Sequence, residues 1–153
     1  MISCRRRLSV ASRVEDAFEY VADWKNFQSW LPMFSNLEPT SFVQYGPGTS
    51  LDATIALGKL QLRTTLDVTE FAKNRRLVIK ATKGVRLRLE WEFKDLGGRV
   101  LITFGFEYDL PSGLAFRSDQ KDALEKELEE AACRSTELLR WVLEHRPRSD
   151  ADH

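Results

Sequence analysis

The stretch VASRVEDAFEYVADWKNFQSWLPMF, Val10 to Phe34, decides how the rest of this chain is read. Val14, Ala17, Phe18 and Val21 recur at helical spacing, so a short amphipathic helix should run to about Ala22. Ser12 to Glu15 fits a capping box, in which Ser and Glu side chains satisfy free N–H groups at a helix start. A second short helix is expected across Trp24 to Leu31, with Phe27, Trp30 and Leu31 on one side, and Pro32 closes it. Trp30, Leu31, Met33 and Phe34 then crowd around the proline in what should be a connection. Connections usually run over the surface and are polar. Either this one is buried, or something apolar comes to meet it.

Upstream, ISCRRRLSV alternates: Ile2, Cys4, Leu8 and Val10 share one face and predict a strand. Arg6 falls on that apolar face, where a charge is costly unless paired. A β-bulge turning it outward, or Glu127 or Glu130 pairing with it, would relieve the cost; so would an anionic group of a ligand. Downstream, strand follows strand. Leu37 to Val43 precedes YGPG. Leu51, Ala53, Ile55 and Leu57 alternate up to Gly58-Lys59, and Leu60, Leu62, Thr64, Leu66 and Val68 alternate after it. Leu77, Ile79 and Ala81 lead to Lys83-Gly84. Val85, Leu87, Leu89, Trp91 and Phe93 alternate against Arg86, Arg88, Glu90 and Glu92. Gly97-Gly98 turns the chain into Val100, Ile102, Phe104, Phe106, Tyr108 and Leu110. Short turns between successive strands imply antiparallel neighbours with one face buried and one wet.

Past PSGLAF the period changes. From about Ser118 to Arg146, Leu124, Leu128, Ala131, Leu138 and Val142 form an apolar stripe, with Glu125, Glu129, Arg134, Glu137 and Arg140 on the other side. A helix of that length is about 42 Å long. Residues 1–146 are expected to form a single α+β domain and 147–153 a disordered tail.

Composition removes several functions. Lys plus Arg equals Asp plus Glu at 23 each, so no global field steers the chain to nucleic acid or an anionic membrane. The Arg-rich CRRRL and NRR lack interleaved base-stacking aromatics, so no nucleic-acid partner is expected. The two histidines, His145 and His153, lie near the C-terminus, which leaves no Ser-His-Asp or Cys-His arrangement in the body of the domain. Cys4 and Cys133 match no metal-ligand spacing, and no glycine falls in a phosphate-loop pattern. No metal and no cofactor are expected. No apolar run is long enough for a transmembrane segment and no signal-peptide pattern is present, so the reading is a cytoplasmic protein with reduced thiols.

One strand, two short helices, six strands and one long helix resemble the helix-grip fold of the START/Bet v 1-like (SRPBCC) superfamily. Within it, the chain is most similar to bacterial polyketide cyclase/dehydrase and lipid-transport-like domains. The likeness rests on Val10–Phe34, on VTEF...NRRLVIKATKG from Val68 to Gly84, and on the long terminal helix. The resemblance implies a curved seven-stranded antiparallel sheet wrapped around that helix, with the first strand beside the last and an apolar cavity between sheet and helix. Its deep walls would be Leu51, Ile55, Leu62, Leu89, Phe104, Phe106 and Tyr108. The rim would be Trp30, Met33, Phe34, Leu114 and Phe116, gathered with the turns at Gly58 and Gly84. Arg6, Thr64 and Tyr108, with Tyr20 behind them, are the polar groups expected to face inward.

The partner so implied is one small hydrophobic molecule, such as a lipid, an isoprenoid or quinone, or an aromatic polyketide, held for carriage or sensing. A cyclase, aromatase or dehydratase using the same cavity is the alternative, with Arg6, Tyr108 and Thr64 as its acting residues. A protein-interaction module built on the wet face of the sheet is a third reading, and the protein partner stays open. Enzyme and carrier are not separated at this stage.

Overall fold

The computed structural model describes residues 2–57, 60–81, 83, 85–109 and 118–145. Strand β1 (Ile2–Val10) leads into helix α1 (Val14–Ala22), a 3-10 turn (Trp24–Asn26) and the single-turn helix α2 (Phe27–Trp30). Then come β2 (Phe34–Pro39), β3 (Ser50–Leu57), β4 (Leu60–Ala72), β5 (Arg76–Ala81), β6 (Arg86–Asp95), β7 (Val100–Asp109) and helix α3 (Ser118–His145). All seven strands form one sheet in the order β1-β7-β6-β5-β4-β3-β2, and every neighbouring pair is antiparallel. This is the expected curved sheet around a long C-terminal helix.

Register puts the alternating apolar positions on one side. Trp91 lies opposite Phe104 and Leu77, Leu87 opposite Tyr108 and Ala81, and Leu66 opposite Ala81 and Leu51. Because side chains alternate along a strand, these rows make a continuous concave face. Arg88, Glu90 and Glu92 fall on the convex one. Helix α3 lies along β1 and runs in the same direction. Arg6 Nε donates to Cys133 Sγ at 3.1 Å, and the Ala11 N–H donates to Glu144 Oε2 at 3.0 Å. Between those contacts the helix rises about 16 Å and the strand about the same, so the two elements stay in step.

Several expectations need correction. No capping box forms at Ser12–Glu15: Arg13 is the N-cap without a side-chain cap bond, and the Ser12 hydroxyl donates to the Arg13 carbonyl instead. Arg13 pairs with Asp16 at 3.0 Å, which places an anion in the first turn by another route. The helix expected at Trp24–Leu31 is two short pieces, the first capped by the Asp23 carboxylate at the Lys25 N–H. The strand expected at Leu37–Val43 is displaced to Phe34–Pro39, where pairing with β3 begins two residues after Pro32 and shifts register at Asn36, a residue with φ of 51°. Strand β4 continues past Val68 to Ala72 through a bulge opposite β5.

The apolar stripe of α3 is also rotated from the expected one. The buried positions are Leu124, Leu128, Ala132, Ser135, Leu139 and Leu143, whereas Leu138 is 39% exposed and Ala131 and Val142 are only partly buried. One residue is about 100° of helix. Choosing Leu138 over Leu139 therefore turned the lower half of the helix away from its true inner face. The expected limit at residue 146 and the tail 147–153 lie outside the described residues.

Candidate functional site

The interior between the concave face and α3 is built in two parts. At the end under α1 and α2 it is packed with aromatic rings. Trp91 stacks on Phe104 at 5.3 Å, Trp30 meets Trp91 edge-on at 5.5 Å, Phe27 meets Trp30 at 6.1 Å, and Phe18 meets Phe93 at 5.2 Å. Edge-on and offset stacks of this kind stabilise beyond the area they bury. The apolar connection after α2 is therefore buried: Trp30, Leu31, Met33 and Phe34 all lie in the core.

Away from that aromatic end the inner wall becomes less evenly apolar. Tyr108 packs parallel to Phe106 at 6.4 Å, and Thr64 stands opposite Ala53 between Leu62 and Leu66. Ser135 interrupts the inner stripe of α3. The hydroxyls of Tyr108, Thr64 and Ser135, and the indole N–H groups of Trp30 and Trp91, are buried without a hydrogen-bond partner among the described residues. Native interiors pair nearly all such groups, so the three hydroxyls here and the two indoles in the aromatic end call for a physical explanation; Trp24 Nε1 is a further buried donor of this kind. All of these groups can donate a hydrogen bond. Burial pushes the Tyr108 phenol up to about 12, so it stays neutral and protonated through the physiological range.

Beside this interior, a cleft of about 280 Å³ opens between α3 and the β2–β3 edge of the sheet. Pro32, Met33 and Ala56 form one wall, and Leu124, Leu128 and Ala131 the other, with Glu127, Glu130 and Arg134 at its lip. It is the described break in the grip of the sheet on the helix nearest the apolar connection. A larger groove of about 850 Å³ lies elsewhere, between α1 and the β4–β5 turn. Glu15, Glu19, Asp23, Lys25 and Lys73 line it around Phe18, Tyr45 and Phe71, and so ionic a lining suits an apolar molecule poorly.

The expected site residues divide accordingly. Leu51, Ile55, Thr64, Leu89, Phe104, Phe106 and Tyr108 come together as buried residues of the concave face, and Leu62 packs against them partly buried. Trp30, Met33 and Phe34 join them from the α2–β2 connection. Leu114 and Phe116, like Gly58 and Gly84, lie outside the described residues. Tyr20 is buried on α1 and has its own interactions. Arg6 lies at the β1–α3 seam, partly exposed and bonded to Cys133 and to the Arg5 carbonyl. No bulge turns it, because β1 pairs with β7 without a break from Ile2 to Val10, and neither Glu127 nor Glu130 pairs with it. Cys4 is partly buried beside it, and burial pushes its thiol pKa up. Sequence reading missed Ser135, the two indole N–H groups and the cleft. A serine inside an apolar helical stripe was the available signal.

The model of the family described as polyketide cyclase / dehydrase and lipid transport matches residues 1–136. The chain belongs to that family. No curated protein matches it significantly by sequence. Among solved structures, the protein TTHA0849 of Thermus thermophilus superimposes with a TM-score of 0.76 at 14% identity, over 92% of this chain and 96% of that one. The Zhui aromatase/cyclase of a Streptomyces species gives 0.75 at 15% identity over 97% of both chains. A START superfamily protein of Mycobacterium smegmatis gives 0.71 at 13% identity, over 94% of this chain and 99% of that one. At these identities the likeness is one of fold. Among the described residues no helix is long and apolar enough to cross a membrane, and no cluster of His, Cys, Asp and Glu could hold a metal ion.

Proposed function

We propose that this protein binds one small, largely apolar and uncharged molecule between the concave sheet and α3, admitted past Met33. The observation that carries the reading is a group of buried donors without partners among the described residues: the Tyr108, Thr64 and Ser135 hydroxyls, with the Trp30 and Trp91 indoles at the aromatic end. An unsatisfied buried donor costs about 1–3 kcal/mol, and oxygens of a bound molecule would relieve that cost. Each methylene transferred from water into the interior adds about 0.8 kcal/mol, so few polar contacts are needed for firm binding. The buried ionised side chain among the described residues is Glu90, on the convex face, where Arg76 and Arg88 hold it. A ligand carrying its charge inside would lose its hydration with no counter-charge to replace it. Carbonyl or hydroxyl oxygens on an apolar frame are the fitting chemistry.

A cyclase or dehydratase is the second reading, favoured by the neutral Tyr108 phenol beside an apolar wall. At a pKa of about 12 it is a poor acid but can donate to a developing enolate. Both readings need the same interior. The test is titration with the neutral ketone dye 6-propionyl-2-(dimethylamino)naphthalene, whose carbonyl oxygen can accept from these donors, following its fluorescence and the quenching of the buried tryptophans. Saturation at one dye per chain, weakened by Tyr108→Phe, supports the reading. No saturable binding, with the chain folded, refutes it.

A further inference from the structure

Helix α3 carries a second seam, on the side away from the sheet. Arg134, Leu138, Trp141 and His145 follow one another at spacings of four, three and four residues, the interval at which helices pack against helices. Trp141 is 61% exposed and Leu138 39% exposed, although most of the rest of this helix's exposed surface is charged. His145 stacks on Trp141 at 4.7 Å, which extends the flat apolar surface by one ring. Cys133, Glu137, Arg140 and Glu144 complete a groove of about 620 Å³ along the seam. Nothing in the grip of the sheet on α3 requires a tryptophan there, because the inner stripe ends through Leu139 and Leu143.

We infer that this seam pairs with the same seam of a second copy of the chain, α3 against α3, antiparallel about a two-fold axis near residue 139. Charge complementarity chooses that occupant. About such an axis, Arg134 of one copy faces Glu144 of the other, and the relation repeats in reverse, as a two-fold interface demands. Arg134 has no hydrogen-bond or ion-pair partner among the described residues. Glu144 accepts one N–H, from Ala11, through Oε2, and its other oxygen has acceptor capacity left. Arg140 and Glu137 are already paired with each other at 3.4 Å and sit beside the seam. Leu138 and Trp141 meet at the centre, where an aromatic anchor contributes most. The formal net charge of zero leaves no overall repulsion between copies.

The experiment is sedimentation equilibrium of the full chain from about 5 to 300 μM, with three variants. The parent chain should associate to dimers in that range, and Trp141→Glu should be monomeric throughout. Arg134→Glu alone places acid against acid, and Glu144→Arg alone places base against base, so each should self-associate more weakly than the parent. Mixed one to one, these two variants restore both charge pairs. The heterodimer should be at least about tenfold tighter than either variant's own dimer. Circular dichroism confirms that each variant remains folded. A parent chain monomeric across the range overturns the inference, and so does a dimer indifferent to Trp141→Glu. Equal affinities of the mixed and unmixed charge variants would overturn the antiparallel two-fold pairing.

Discussion

Replacing Tyr108 by Phe removes one oxygen from the inner wall and leaves the ring in place. The side chain is 1% exposed, its hydroxyl has no partner among the described residues, and the ring lies parallel to Phe106 at 6.4 Å. An unpaired buried hydroxyl costs about 1–3 kcal/mol, so Tyr108→Phe should stabilise the ligand-free protein by about 1–2 kcal/mol. For a chain of this length that is a rise of roughly 3–6 °C in Tm. Binding should move the other way. If the hydroxyl donates to the ligand, its loss weakens affinity by about 0.5–1.5 kcal/mol, roughly two- to tenfold. Alkaline pH gives a second readout. Burial raises the folded phenol to about 12, above the ordinary value near 10 in the unfolded chain. Between those values the unfolded chain has released a proton that the folded chain keeps, so the stability present below pH 10 is lost as pH rises towards 12. Tyr108→Phe should shed that part of the loss. Urea unfolding at pH 7 and at pH 11, on both proteins with and without the dye, measures all three effects. If the variant is less stable by 1 kcal/mol or more at pH 7, the hydroxyl is satisfied in the free protein and the reasoning from orphaned donors fails.

Ser135→Ala should stabilise the free protein by about 1 kcal/mol, from the removed hydroxyl and the better helix former, read as a shift of the urea midpoint at constant slope. Met33→Trp narrows the 280 Å³ cleft and should slow dye entry in stopped flow more than it changes equilibrium affinity; an unchanged entry rate would place the passage elsewhere. On the convex face, Arg76 lies 3.0, 2.9 and 3.1 Å from Glu70, Glu90 and Glu92. Arg76→Met leaves the buried Glu90 short of a counter-charge and should cost about 1–3 kcal/mol at pH 7 by urea unfolding, a figure reduced because Arg76 is a third exposed. Burial pushes the Glu90 pKa up, but hydrogen bonding with Arg88 and Glu92 and the charges of Arg88 and Arg76 together bring it below the usual carboxylate value. The stabilisation from this group is therefore present above the unfolded carboxylate pKa and lost as pH falls through the lower folded one. Acid titration of the Arg76→Met protein should show a shallower loss over that window.

The strands were legible because a half-buried antiparallel strand announces itself by alternation, and Val85 to Phe93 against Arg86 to Glu92 does so without interruption. Strand β2 was misplaced because its pairing is set by Pro32 and by the shift at Asn36, which are matters of turn geometry rather than hydrophobic period. The capping box at Ser12–Glu15 failed for a similar reason: the Ser12 hydroxyl found the neighbouring Arg13 carbonyl, a local competitor that no spacing rule weighs. On α3, leucines at 138 and 139 and a valine beside a leucine at 142 and 143 gave two apolar stripes one residue apart. Only the sheet decides which of them is inside.

The burial of the expected walls was legible, and so was that of Thr64 and Tyr108 among the polar groups expected inside; Arg6, Ser135 and the indoles were not. Leu51, Ile55, Phe104, Phe106 and Tyr108 follow from alternation alone. Arg6 looked like an interior charge because it sits on the apolar face of β1. That strand is an edge of the sheet, however, and an edge residue can reach the α3 seam and solvent together. Which donors end without a protein partner is a property of the folded packing, and no pattern of single residues contains it.

Native mass spectrometry of the gently purified protein, followed by solvent extraction of whatever it releases, tests the central claim most directly. The account predicts a bound population at one molecule per chain, releasing an uncharged, largely apolar compound that bears carbonyl or hydroxyl oxygens. A bare chain mass that persists after saturation with 6-propionyl-2-(dimethylamino)naphthalene and with cell lipid extract would contradict it. The interior would then be a packed core, and its unpaired buried donors would need another explanation.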